Sequence, residues 1–234
     1  MTFRPLIIIT LLYMALGIMG ATASYAATCD QPAQSPSIHI EVEADQPNID
    51  HQRSRIELKQ FNIATVSPYG TEQNVHVNGL MRGAITIETQ MAIAWQRSAT
   101  GGDNCFWYDH IRVNLKLRPV IYIAREIVKD TCLYKEVLRH EYKHYDVDYT
   151  TAKDYQIILQ NELESFIRQT GVIGPYSQTM GEQAKNELAR RLEMKIQSIN
   201  DRLKFERVKR QSIIDTRQEY ERVARACKNE ASML

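Results

Sequence analysis

"LYKEVLRHEYKHYDVDYTTAKDYQIILQNELESFIRQ", residues 133–169, holds neither glycine nor proline and is rich in good helix formers. Its apolar residues recur at helical spacing, which predicts one long helix with Thr131 placed to cap its start. "TGVIGPYSQT" (170–179) ends that helix through Gly171, Gly174 and Pro175. A second helical run is expected from about Gln178 to Ala226. There Leu188, Leu192, Ile196, Ile199 and Leu203 form a stripe that buries one face, and the opposite face carries more Lys and Arg than Asp and Glu.

Upstream the period changes from helical to two. "SIHIEVE" (37–43), "IELKQFNIATV" (56–66), "AITIETQMAIAW" (84–95) and "CFWYDHIRVNLKLRPVIYIA" (105–124) alternate as half-buried strands do. "SPYG" (67–70) and "NGL" (78–80) supply turns, and Pro119 ends the last strand or confines it to an edge. The expected fold is α+β: a small antiparallel sheet, then two long helices folded back as a hairpin. Residues 27–170 form the sheet-plus-helix domain, and 171–234 the C-terminal amphipathic helix.

Residues 1–26 read as a signal peptide, with Arg4, an apolar run from Leu6 to Met19, and small residues at Ser24 and Ala26 before the cut. That address is periplasmic or secreted. All four cysteines (Cys29, Cys105, Cys132, Cys227) follow the cut, and an even number in an oxidising compartment implies two disulfides. Cys105 with Cys132 is the favoured pair, because the two flank one compact strand-rich segment, and Cys29 with Cys227 would then tie the ends together. The formal net charge of +1 argues against a strongly basic nucleic-acid binder, and 44% hydrophobic with 24% charged residues suits a folded chain.

The chemistry concentrates in "HEYKH", residues 140–144. Residues four apart share a helix face, so His140 and His144 can direct ring nitrogens at one zinc ion. Glu141 is one position round from His140. It can accept a proton from a water on the metal as that water attacks a carbonyl. This mechanism, with Zn2+ as cofactor, is what the H-E-x-x-H spacing serves.

Through His140, Glu141 and His144 the chain resembles the zincin metallopeptidases. More narrowly it resembles bacterial exported proteins predicted to be zinc-dependent proteases, through "NCFWYDHIRVNLKL", "IYIAREI", "TCLYKEVLRHEYKH" and "VD" across roughly residues 75–165. The resemblance implies a zinc hydrolase of the cell envelope acting on a peptide or protein, and it supplies no defined substrate.

A catalytic zinc site normally takes three protein ligands. The metzincin spacing meets Val147 and Thr150 and is excluded. Glu162, as in thermolysin-like sites, lies 18 residues along an unbroken helix, about 27 Å away. Asp148 continues the row 140, 144, 148 and is the expected third ligand, with a hydrogen bond to His144 as its alternative role. Asp109, His110 or His76 from the sheet are further candidates. Tyr142, Tyr145 and Tyr149 flank the motif as packing residues or oxyanion donors. Two other readings compete: a non-catalytic envelope protein that binds a partner through its helical hairpin, and a C-terminal helix that restrains a real active site.

Overall fold

The computed structural model describes residues 28–32, 34–61, 76–99 and 101–227. The expected leader (1–26) and the expected turn at 67–70 lie outside them. Among the described residues no helix is long and apolar enough to cross a membrane.

The fold is α+β, but the sheet is mixed, not antiparallel. Strands β1 (Ser37–Ala44) and β2 (Asn48–Asp50) lie parallel to β5 (Asn104–Leu117) and β6 (Val120–Ile123), respectively. On the other side, β4 (Ile85–Arg97) and β3 (Gly79–Arg82) return antiparallel to β5 and β6. Alternation of side chains is identical in both strand directions, so the sequence pattern carries no sign of it. Pro119 separates β5 from β6. The Asp45 N–H to Leu117 C=O and Asn48 N–H to Pro119 C=O bonds carry the pairing across that break. The strand at 111–117 is therefore central, paired on both sides. A short β7 (Ile173–Tyr176) pairs with the start of β5.

Part of the expected strand 56–66 is a helix instead. Ser54 and Glu57 form a reciprocal capping box that starts α1 (Arg55–Lys59). The long helix is as expected: α2 (Thr131–Thr170) runs 40 residues, about 60 Å, with Asp130 as the cap one residue before Thr131. The second helix is not continuous. It divides into α3 (Gly181–Ser212) and α4 (Arg217–Ala226), with Thr216 capping the latter by accepting from the Glu219 N–H.

α2 lies against both parts of the sheet. Its inward row is Val137, His140, Glu141, His144, Tyr145, Asp148, Ala152, Tyr155, Leu159 and Leu163, at three- and four-residue spacing. From Tyr145 onward this row joins a core made with β5 and with Leu188, Leu192, Ile199 and Leu203 of α3. Val137 belongs to a second core with Ile121, Ile123 and Met81. The α3 stripe is thus buried in the protein's own interior, and residues 171–212 share one core with the sheet. The histidine motif sits where the two apolar regions meet.

The disulfides are Cys29–Cys105 and Cys132–Cys227, which corrects the expected pairing. Cys105 stands at the start of a 14-residue strand about 45 Å long, and the chain continues through β6 before reaching Cys132. The two cysteines that flank the segment in sequence are at its opposite ends in space.

Candidate metal centre

α2 places His140 and His144 on its buried side with their rings edge to face. Their Nε2 atoms are 3.2 Å apart. Asp215, from the connection between α3 and α4, brings its Oδ1 to 3.2 Å from each of them. Two neutral imidazoles and a carboxylate are the donors that zinc favours. Ligand atoms of a tetrahedral ion with bonds of about 2.0 Å are separated by about 3.3 Å. The three donor atoms therefore form one face of such a tetrahedron, and the residues fit a bound metal ion. Among the described residues this is the group able to hold one.

Glu141 is buried beside them and accepts a 2.6 Å hydrogen bond from the Met81 N–H. β3 is the outer strand of its sheet, so this amide belongs to an edge facing α2. The close approach depends on Gly79. A Cβ there would stand 2.4 Å from Val137 Cγ1 and 2.7 Å from Glu141 Oε1, inside contact distance of both.

Burial raises the Glu141 carboxyl above its ordinary value, against the opposing pull of His140, His144 and the Met81 amide. Burial works in the same direction on Asp215, yet hydrogen bonds from both histidines, and their charge, hold it well below the usual carboxylate range. Burial opposes the charged form of His144. The Asp215 hydrogen bond and the Glu141 charge outweigh that and raise it.

Around this group stand two networks. Gln211 links His144 to Asp148: its Oε1 is 2.5 Å from His144 Nδ1, and its Nε2 donates to the His144 C=O at 2.9 Å and to Asp148 Oδ1 at 2.6 Å. Arg207 clamps Asp148 with bonds of 2.7 and 2.8 Å and also donates to the Gly83 C=O at 2.9 Å. On the other side Glu219 stands 3.5 Å from His140 Nδ1 and accepts from Lys143 at 2.7 Å. Arg222 bridges Glu219 and Glu136. The Arg222 hydrogen bond, with Lys143 beside it, pulls Glu219 down to about 2. The Tyr220 hydroxyl donates to Asp215 Oδ1 at 3.4 Å, and its ring meets His140 edge to face.

His140, His144 and Glu141 are thus brought together as expected from the sequence, but Asp148 is not placed as the third ligand. One turn beyond His144 its short, fully buried side chain is occupied by Arg207 and Gln211, and it reaches His144 only through Gln211. Glu162 pairs with Lys195 and Arg202, while Asp109 and His110 face each other in the open and His76 is exposed. Tyr142, Tyr145 and Tyr149 pack against one another. Asp215, Tyr220 and Gln211 are absent from the sequence reading. One signal was present: Thr216–Glu219 has the S/T-x-x-E form of a helix start, so Asp215 had to lie off a helix. Comparison of the chain with protein-family models, with curated proteins and with solved structures finds no match.

Proposed function

We propose that this protein is a zinc-dependent hydrolase, of the peptidase class, that works in the periplasm or outside the cell. The observation that carries the reading is the 3.2 Å triangle of His140 Nε2, His144 Nε2 and Asp215 Oδ1 beside a buried Glu141. Two disulfides fit an oxidising compartment. His140, His144 and Asp215 would hold the ion. A zinc ion bound there would acidify a water molecule and polarise a carbonyl. Glu141 takes the proton of the attacking water, since its raised carboxyl pKa suits a general base that later returns that proton to the leaving amine. Tyr220, whose hydroxyl meets Asp215 Oδ1, would turn that hydroxyl to the oxyanion. A peptide or protein is the substrate class that a zinc-bound water with Glu141 as base would serve; the β3 edge itself is covered by α2, through the Met81 N–H bond to Glu141 and the contact of Gly79 with Val137.

The test is metal content beside hydrolysis. Glu141→Gln is expected to keep zinc and lose peptide hydrolysis by at least about 100-fold. Asp215→Ala is expected to lose zinc and activity together. Activity that survives Glu141→Gln removes the proposed base.

The contact made by Asp215 favours one second reading, in which Asp215 blocks the position beside His140 and His144 as a removable restraint and is not a lasting ligand. Asp215→Ala separates the two, because a restraint predicts retained zinc and a higher rate. The partner-binding alternative would rest on what α3 leaves outside, chiefly Met194 and Phe205, since its main apolar stripe is already buried.

A further inference from the structure

We infer that Gln211 is a positioning residue that sets the tautomer of His144, with its own amide oriented by Asp148 and Arg207. The inference rests on the metal-centre reading for its purpose, but its geometry stands alone. Gln211 is buried, and one end of its amide meets two acceptors, the His144 C=O and the Asp148 carboxylate. A carbonyl oxygen at that end would face both acceptors with no hydrogen to share, so the NH2 group must be there. The amide oxygen then has to face His144 Nδ1, and at 2.5 Å that nitrogen must carry the hydrogen. A charged ring gives its second hydrogen to Asp215 from Nε2; in the neutral ring, with the Nδ1 hydrogen held by Gln211, the lone pair is left on Nε2, the atom that faces His140 and Asp215. Arg207 completes the chain. Its bidentate grip leaves Asp148 no freedom to turn away, and its bond to the Gly83 C=O ties the assembly to the turn between β3 and β4. The buried Asp148 thus serves the site from two residues away, as an orienter and not as a ligand.

His140 offers a contrast within the same site. Its Nδ1 is buried without a hydrogen-bond partner among the described residues, and Glu219 at 3.5 Å supplies charge but no bond of that geometry. Only His144 has its tautomer imposed.

The experiment uses the full chain with Gln211→Met, which keeps the length and removes both amide ends, and Gln211→Glu, which keeps an acceptor for Nδ1 and, as a protonated carboxyl, a single O–H to give to Asp148. Two readings are taken. In metal-free protein at alkaline pH, nitrogen-15 NMR of the His144 ring is expected to show the proton on Nδ1 in wild type and in Gln211→Glu, and a shift toward Nε2 in Gln211→Met. Zinc titration is expected to show affinity about 10- to 100-fold weaker for Gln211→Met, with Gln211→Glu nearer to wild type. A wild-type ring protonated on Nε2, or a Gln211→Met protein equal to wild type in both readings, overturns the inference. If wild type binds no zinc while its ring carries the Nδ1 proton, the metal reading falls and the tautomer assignment is supported. Should Gln211→Met fail to fold, the wild-type ring and Gln211→Glu still decide the matter.

Discussion

His140 and His144 stand on a helix whose inward row is buried for 27 residues, from Val137 to Leu163, between the sheet and α3. Asp215 stands on a four-residue connection, followed by a helix that buries no side chain fully. The first arrangement is held by apolar burial. The second is held by the Cys132–Cys227 disulfide, by the ion pairs of Glu219, Arg222 and Lys143, and by Val223 at the rim of the second core. The same centre therefore has one side set by the hydrophobic interior and one side set by charge and a covalent tether. Apolar burial is neither screened by salt nor cleaved by reductant, whereas ion pairs weaken with salt and the disulfide opens with reductant. The contrast teaches that donor groups meeting at one point can differ widely in how firmly the fold holds them.

The largest effect should come from cutting the tether. Cys132→Ser with Cys227→Ser opens a loop closed across 95 residues, worth about 4 to 5 kcal/mol in the chain-entropy model. The expected outcome is loss of zinc and of hydrogen-exchange protection in α4, with the α2–sheet core still protected. Loss of protection everywhere at once would erase the distinction between the two sides.

Next is Asp148→Ala, which leaves Arg207 unpaired beside a buried site and should destabilise the core side by about 3 to 5 kcal/mol in denaturant unfolding. Glu162→Ala, at a half-open ion pair on the same helix, should cost about 1 kcal/mol or less. Equal costs would show that Asp148 is not the buried anchor its contacts describe.

pH sharpens the comparison from both directions. In metal-free protein Glu219 has a folded value near 2 against an ordinary 4.5, so its contribution is complete above 4.5 and fades as pH falls toward 2. The lowered carboxyl of Asp215 behaves alike, with an ordinary value of 3.8. His144 has the opposite sign. Its folded value is raised above 6.5, so its contribution is full below 6.5 and fades as pH rises through the folded value. Protection of α4 in metal-free protein should thus be greatest between 4.5 and 6.5 and decline on either side, while the α2 core changes less.

The smallest effect is expected from Lys143→Met. Lys143 is more than a third exposed, and its pair with Glu219 should be worth about 1 kcal/mol or less and vanish in high salt. Zinc affinity should fall by a few-fold at low ionic strength. A salt-independent loss would point to packing of the lysine stem instead.

Much of this is legible in the sequence. The stretch from Leu133 to Gln169 announces its helix by composition and period, and His140 and His144 share a face because every α-helix turns at 3.6 residues. The strands of β4 and β5 follow from alternation. In contrast, the Ser54–Glu57 helix start adjoins an alternating run, and the S/T-x-x-E pattern at Thr216 lies inside a helical one. In both places the longer periodicity masked a local start signal.

What the amino-acid order determined alone is the class of fold, the long helix and the shared direction of two imidazoles and one carboxyl, because each depends on residues within a few turns of one another. The choice of Asp215 over Asp148, the pairing of the four cysteines, the parallel course of β1 beside β5 and the grip of Gln211 on His144 were decided by tertiary structure. Those contacts join residues from 67 to 95 positions apart. Periodicity says nothing at such separations, where the route of the chain through space selects which side chains meet.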